Sequence, residues 1–250
     1  MLPISISGEP KGGIFTLDDE LDTLEEDFDQ DQGIELMKTQ ALRAVYLTAE
    51  DLRVTASLLF NAYHDDPFFI HSFGHQDLAT YEQKLRAVIR EELNELWQQE
   101  QPIIGVYDKD RLVGVTCMLT HQFSIGESRF WHWRFKMVLG TDWRTTQALI
   151  QKESSIYELL PSARFGIIQF IAVAPKVQNQ GVGKFLVEAV KSWLDEQQAI
   201  DGVGVFVSNK AHESLFTQCG FEISEAMRIA DLSGNLVLYR KPTTAHHSIE

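Results

Sequence analysis

The chain has 250 residues, of which 44% are hydrophobic, and it carries a formal net charge of −14. This length suits one or two domains with a sizeable core. The acidic balance argues against nonspecific DNA or RNA binding, which depends on basic patches that release counterions. Two cysteines, Cys117 and Cys219, in so long a chain favour a reducing compartment over a disulfide framework.

Most of the negative charge lies at the N-terminus, where residues 1–36 contain eleven acidic residues and one basic residue, Lys11. Because like charges repel and little apolar surface is available to bury, we predict that residues 1–38 form a disordered acidic extension. We expect one domain over residues 39–243 and a disordered tail over 244–250. The chain start lacks signal-peptide features and no apolar run reaches membrane-spanning length, so we expect a soluble, cytoplasmic protein with no membrane partner.

The predicted elements alternate between strand and helix periodicity. A strand at 41–46 precedes a capping box at 48–51, which begins a helix reaching Tyr63, and a longer helix spans about 77–99. A hairpin follows over 103–107 and 112–119. Beyond an aromatic-rich insert at 121–160 we predict a strand at 165–174, a helix from 182, a strand at 203–207, a helix at 210–218, and a strand pair turning at 233–235. The order predicts an α/β fold, a central twisted mixed sheet flanked by helices.

The most informative motif is the turn between the strand ending near Ala174 and the helix beginning near Val182, with the sequence Gln178-Asn179-Gln180-Gly181-Val182-Gly183. Backbone amides at a helix start lack intrahelical partners and carry partial positive charge. Gly181 and Gly183 let a bulky anion approach those amides, and Lys184 adds a positive charge. The turn is neither a P-loop nor a three-glycine dinucleotide fingerprint. We therefore predict a phosphate-binding turn of another kind.

The strand end 171–175 followed by this turn resembles the acetyl-CoA loop of the GNAT (GCN5-related) N-acetyltransferase superfamily. A second segment is similar as well: Asn209, then Phe216 seven residues on, then Gly220-Phe221. The segments 61–69 and 238–242 resemble the puromycin-acetyltransferase-like branch. The resemblance covers about residues 42–242 and implies the GNAT acyl-CoA N-acyltransferase fold.

The resemblance also implies acetyl-CoA as a co-substrate and an amine, on a small molecule or a protein, as acceptor. It assigns coenzyme contacts to Ile171, Ala172, Val173, Gln178, Asn179, Gln180, Gly181, Val182, Gly183, Lys184, Asn209 and Phe216. Ile171 and Val173 would supply backbone hydrogen bonds to the pantetheine arm, as if it were an added strand.

The catalytic groups are less evident. Phe216 stands where the family usually has a tyrosine acid, and Ile167 stands where some members have a glutamate. Gln169 cannot accept a proton at neutral pH. His121 and His132 border the expected acceptor region and are weak candidates for the base, acting directly or through water. Asp66 either ends a helix or attracts an ammonium group. His71 and His75 lack a third ligand, so we predict no metal site.

Three functional readings follow from these residues. The first is an acetyl-CoA-dependent N-acetyltransferase that transfers the acyl group directly in a ternary complex. The second, motivated by Phe216, is a catalytically weak or inactive GNAT-like module that binds acyl-CoA for regulation. The third is an α/β domain whose glycine turn is only structural, and it predicts no coenzyme binding.

Overall fold

A computed structural model describes residues 42–73, 77–120, 141, 143–229 and 232–242. Seven strands form one mixed sheet in the order β1-β2-β3-β4-β5-β7-β6. Among the described strands, β4 and β5 alone pair in parallel, and the other neighbours pair antiparallel. The strands are β1 Leu42–Tyr46, β2 Ile103–Asp108, β3 Arg111–Leu119, β4 Phe165–Val173, β5 Gly202–Val207, β6 Glu222–Ile229 and β7 Leu232–Arg240.

Helices cover both faces of this sheet and create two cores. The helices are α1 Leu52–Tyr63, α2 Pro67–Phe73, α3 Leu78–Gln98, α4 Trp143–Leu159, α5 Val182–Glu196 and α6 Lys210–Gln218. Apolar side chains of α1 to α4 pack in one core, which we call the α3-side core, and those of α5 and α6 pack in the other, the α5-side core. The predicted α/β class and the mixed sheet flanked by helices are confirmed.

Local sequence signals account for the helix starts. The predicted capping box forms, because the Asp51 carboxylate accepts from the Thr48 backbone N–H at 2.8 Å and from its hydroxyl at 2.9 Å. Asp77 caps α3 by accepting from the amides of Ala79 and Thr80. Among the described helices, none is both long and apolar enough to cross a bilayer.

Two local predictions need correction, and one segment to which we assigned no element contains a helix. The segment at Asp66 is not only a loop, because Asp66 caps α2, whose amides at Phe68 and Phe69 donate to its carboxylate. The aromatic-rich insert at 121–160, to which we assigned no helix or strand, contains α4. The turn predicted at 233–235 is wrong, since these residues lie inside β7 and Gly234 pairs with Met227 of β6. The predicted segments 1–38 and 244–250 lie outside the described residues.

Gly234 is a glycine because β5 lies against it. A Cβ built on Gly234 would meet the Val207 carbonyl oxygen at 2.5 Å and the Phe206 ring at 2.7 Å. A backbone atom cannot move aside as a flexible side chain can, so the strand pairing itself requires the missing side chain.

We therefore expect Gly234→Ala to lower the free energy of unfolding by about 1–3 kcal/mol, the usual cost of overpacking a core. Urea denaturation monitored by circular dichroism measures this change. The control is Ser233→Ala at the neighbouring exposed position, which we expect to change stability by less than about 0.5 kcal/mol. Equal effects from the two substitutions would contradict the packing argument.

Candidate functional site

The strands β4 and β5 separate halfway along their length. They pair over 165–167 and 202–204, and within the described residues no pairing between them continues past Ile167. On its other edge β4 stays paired with β3 as far as Val173. A gap therefore opens between β4 and β5 towards the C-terminal end of β4, next to the glycine turn.

The backbone of β4 presents hydrogen-bonding groups to this gap. The Ala174 amide donates to the Val113 carbonyl of β3 at 2.8 Å, which fixes the alternation of the antiparallel ladder. Two residues earlier Ala172 must bond to β3 in the same way, whereas the amides and carbonyls of Ile171 and Val173 point away from β3. Their orientation matches the role that the sequence assigned to Ile171 and Val173.

A tyrosine from α1 already bonds to one of these residues. The Tyr63 hydroxyl accepts from the Ile171 amide at 3.1 Å and donates to the Ile171 carbonyl at 3.0 Å. Its ring lies edge-on to Phe69 and Phe170, which hold it over β4. Burial, together with the nearby charges of Asp66 and Cys117, raises the pKa of Tyr63, so the hydroxyl keeps its proton. Sequence analysis missed this contact because it joins residues 108 positions apart.

The glycine turn has the predicted shape. A 3-10 turn at Pro175–Val177 follows β4, and Gly181 caps α5 with φ of 85°. Asn179 also has positive φ, at 60°. Apart from Gly181 itself and its two chain neighbours, no described atom lies within 4 Å of a Cβ built on Gly181, so the start of α5 is open to an anion. Lys184 is exposed in the first turn of the helix.

Two glutamines of the turn hold its backbone. The Gln178 amide group donates to the Val173 carbonyl at 3.2 Å, and that of Gln180 donates to the Lys176 carbonyl at 3.3 Å. Gln178 therefore bonds the second β4 residue that faces the gap. The side chain of Val182 packs in the α5-side core, which leaves its amide as the group available to a ligand.

The two assigned residues at α6 have structural contacts. Asn209 caps α6 by accepting from the Ala211 amide at 2.9 Å. Phe216 is buried in the α5-side core, with its ring 5.2 Å from that of Phe221. Their contacts with a coenzyme stay predictions. The phenylalanine has no hydroxyl, so the described site shows Tyr63, not residue 216, beside the β4 backbone.

The residues considered for the catalytic base lie in different environments. His121 and His132 lie outside the described residues. Ile167 is fully buried in the α3-side core. Gln169 is the extra residue of a β-bulge opposite Cys117 and Met118, and its side chain contacts the α3 carboxyl of Glu92. The bulge thus turns a β4 polar group towards helices that the sequence did not connect with the site.

Four ionisable side chains interact electrostatically next to this bulge, and one of them contacts the Gln169 amide. Together with Gln169 we call them the carboxyl cluster, which consists of Asp66, Glu92, Lys152, Glu153 and Gln169. Glu92 is 6% exposed, whereas Asp66, Lys152 and Glu153 keep partial exposure. A sequence signal for Glu92 exists: it lies three residues after Ile89 and four before Leu96, on the apolar stripe of α3. A carboxylate on an apolar stripe points to a partner or a function.

Burial dominates the titration of the cluster. It raises the pKa of Glu92 to about 8, with a further contribution from the charge of Glu153, and it raises the pKa of Glu153. The two carboxyls titrate as a pair. Burial also raises the pKa of Asp66 and lowers that of Lys152, although each has the other as an opposite charge nearby. A carboxyl with a pKa near neutrality can exchange protons at working pH.

Comparison with known proteins agrees with this geometry. Residues 59–221 match the Acetyltransferase (GNAT) family, and the chain belongs to that family. A search of curated proteins gave no significant match. The predicted superfamily is thus confirmed, whereas the puromycin-acetyltransferase-like branch stays a prediction.

Two solved structures share the fold. One, from Corynebacterium glutamicum, is described as histone acetyltransferase HPA2 and related acetyltransferase; it is 14% identical, with a TM-score of 0.58 over 81% of this chain and 99% of that chain. The other is PaiA N-acetyltransferase from Thermoplasma acidophilum in complex with coenzyme A, 11% identical, with a TM-score of 0.51 over 80% of this chain and 99% of that chain.

Changing the charge at the open start of α5 tests whether the turn binds the phosphates of acetyl-CoA. We expect acetyl-CoA to raise the melting temperature of the wild-type protein and Gly181→Asp to abolish that shift, because a carboxylate there repels the phosphates. Gly181→Asn is the matched control, since asparagine has the same shape and tolerates positive φ. It should keep most of the shift. Equal shifts for both variants in differential scanning fluorimetry would contradict the assigned anion site.

Proposed function

We propose that this protein is an acetyl-CoA-dependent N-acetyltransferase that passes the acetyl group directly to an amine in a ternary complex. The observation that carries this proposal is the edge of β4 that faces the gap, which presents the amide and carbonyl of Ile171 beside an open helix start. The match to the GNAT family supports it. The acceptor amine belongs to a small molecule or a protein, and we expect the reaction in the cytoplasm.

The turn and β4 divide the binding of the coenzyme between them. The amides from Gln178 to Gly183 and the ammonium group of Lys184 would hold the diphosphate. The Ile171 and Val173 backbone groups would hold the pantetheine arm, and an amide donor at this edge can polarise a thioester carbonyl. Tyr63 and Gln178 bond to Ile171 and Val173 in the described structure, so substrate would replace both side chains.

The cysteines support direct transfer. Burial raises the pKa of both Cys117 and Cys219, with added effects of Glu92 on Cys117 and Glu188 on Cys219. A thiol acts as a nucleophile only as its thiolate, so neither side chain is prepared to carry the acetyl group. The amine nitrogen would therefore form its bond to the carbonyl carbon while the carbon–sulfur bond breaks.

Tyr63 offers the hydroxyl that Phe216 lacks. Once the thioester displaces it from Ile171, the protonated hydroxyl is free to donate a hydrogen bond to the leaving sulfur. The Tyr63 side chain is only partly buried, which leaves it room to turn. In this proposal the Tyr63 hydroxyl bonds to Ile171 when the coenzyme is absent. When the coenzyme is bound, the same hydroxyl donates a hydrogen bond to the leaving sulfur.

The function is tested by incubating the protein with acetyl-CoA and a broad panel of amines and measuring free thiol. We expect thiol release that depends on the amine and disappears in Gly181→Asp. Acetyl-CoA binding without release for any amine would instead favour the second function, a regulatory module that binds acyl-CoA, to which the buried, hydroxyl-free Phe216 already points.

Removing the Tyr63 hydroxyl should separate binding from turnover. We expect Tyr63→Phe to tighten acetyl-CoA binding about tenfold, because no hydrogen bond has to be displaced, and to lower kcat about tenfold or more. Calorimetry and steady-state kinetics measure the two effects. The control is Tyr107→Phe, which removes a hydroxyl that donates to Asp51. A Tyr63→Phe variant with both values unchanged would refute this role.

A further inference from the structure

The amide oxygen of Gln169 has no hydrogen-bond partner in the part of the chain that the structure describes. Gln169 is 8% exposed, and its side chain lies within hydrogen-bonding range of the Glu92 carboxyl. Within the described residues, the Gln169 Oε1 atom accepts no hydrogen bond. A buried acceptor without a donor costs about 1–3 kcal/mol, so the position of this oxygen favours a ligand that brings an N–H donor.

The charged groups near the Gln169 oxygen indicate which kind of donor would bind there. The charges of Glu153 and Lys152 act on the Glu92 carboxyl, and the Lys152 ammonium group is within electrostatic range of Asp66, Glu92 and Glu153. Three carboxyls face one ammonium group, whose side chain also lies over the Phe68 ring with Nζ 5.2 Å from the centroid. An ammonium group has three N–H donors and a positive charge, and it satisfies both the amide oxygen and the carboxyls.

The cluster lies beside the proposed acyl site. Gln169 precedes Ile171 by two residues on β4, a separation of about 7 Å along a strand. The Cys117 thiol lies within electrostatic range of both Glu92 and Tyr63, so the cluster and the Tyr63 hydroxyl share one neighbourhood. Lys152 and Glu153 are partly exposed, so the cluster runs from the surface inward to Glu92.

We propose that Gln169 Oε1, Glu92 and Glu153 form the subsite for the acceptor ammonium group, and that Glu92 removes its proton. This inference rests on the proposed function and narrows its acceptor to amines that are cationic and carry no carboxylate beside the amino group. An α-carboxylate would enter a space already lined by Asp66, Glu92 and Glu153, and like charges repel there. An alkylamine should therefore be preferred to the amino acid from which it differs by one carboxylate.

The proton balance is complete. An ammonium acceptor loses two protons on becoming an amide. The first passes to Glu92 and then to solvent, and the freed amine attacks the carbonyl carbon. The second leaves the nitrogen as the carbon–sulfur bond breaks and ends on the released thiol. A carboxyl that titrates near neutrality suits the first transfer, because it is a stronger base than an ordinary glutamate at the same pH.

Several groups face Glu92 and must be separated in any pH experiment. They are Glu95 on α3, Lys152 and Glu153 on α4, Cys117 on β3 and Gln169 on β4. The raised pKa of Glu92 makes its charged form unfavourable in the fold, so its stability penalty is absent below its unfolded pKa and complete above the folded one. His64 also loses stabilising charge as pH rises, because its carboxylate partners raise its pKa. Comparison of wild type with Glu92→Gln isolates the glutamate.

The test uses the full chain and three matched pairs of acceptors: tyramine with tyrosine, tryptamine with tryptophan, and 2-phenylethylamine with phenylalanine. Free thiol and acetyl-CoA binding are measured for wild type, Glu92→Gln and the control Glu91→Gln, which alters a glutamate paired with Arg90 on the same helix. We expect Glu92→Gln to lower kcat/KM about 100-fold or more, with acetyl-CoA binding unchanged. Its remaining activity should rise with pH, because solvent then deprotonates the amine.

Two further readouts separate catalysis from packing. The melting temperature should fall between pH 5 and pH 8 by less in Glu92→Gln than in wild type. Calorimetry of amine binding in two buffers should show proton release at pH 7 in wild type and not in Glu92→Gln. If amines are acetylated but Glu92→Gln keeps the wild-type rate and pH profile, or if the amino acids match their amines, the subsite is refuted. Suppose acetyl-CoA binds, but no amine causes thiol release and no amine binds with proton release: both this subsite and acetyl transfer are then refuted. If an amine binds with proton release but no thiol is released, only acetyl transfer is refuted.

Discussion

The separation of β4 from β5 is the constraint on which the rest of the site depends. A strand that leaves its neighbour exposes amides and carbonyls that must find other partners, since an unpaired buried backbone group is costly. Here the partners are side chains: the Tyr63 hydroxyl for Ile171 and the Gln178 amide for the Val173 carbonyl. Side chains can rotate away, whereas a paired strand cannot. The site therefore has hydrogen-bonding capacity that a ligand can take over without disrupting the sheet.

The fold keeps the separation local by fixing the opposite ends of the two strands. Arg164 forms a bidentate pair with Asp201 at 2.7 Å for each contact, and the Asp201 amide donates to the Arg164 carbonyl. Gly202 admits the Phe165 ring and the Tyr239 carbonyl, each 2.4 Å from where a Cβ would stand. The ion pair is exposed and contributes little energy, but the close packing holds β4 and β5 in register. Beyond Ile167 the strands diverge.

Sequence patterns predicted what depends on neighbours along the chain. The glycine turn, the capping box and the β2–β3 hairpin all follow from short spacings, and each is present in the structure. Gly234 led to the wrong turn prediction because glycine occurs both in turns and where two strands come close together. Only the position of β5 shows which of the two applies here. Tyr63 and Glu92 were missed for a related reason. Their partners on β4 lie 108 and 77 residues away in sequence, so folding alone joins them.

The carboxyl cluster lowers the stability of the folded state. An apolar residue at position 92 would continue the stripe formed by Ile89, Leu93 and Leu96 and would avoid burying a charge. The chain instead keeps a carboxyl whose ionisation destabilises the folded state as pH rises, next to an amide oxygen that accepts no hydrogen bond from any described residue. Unfavourable groups that interact with one another are more economically explained by a common ligand than by separate defects. The same ammonium group would neutralise the carboxyls and complete the bonding of Gln169.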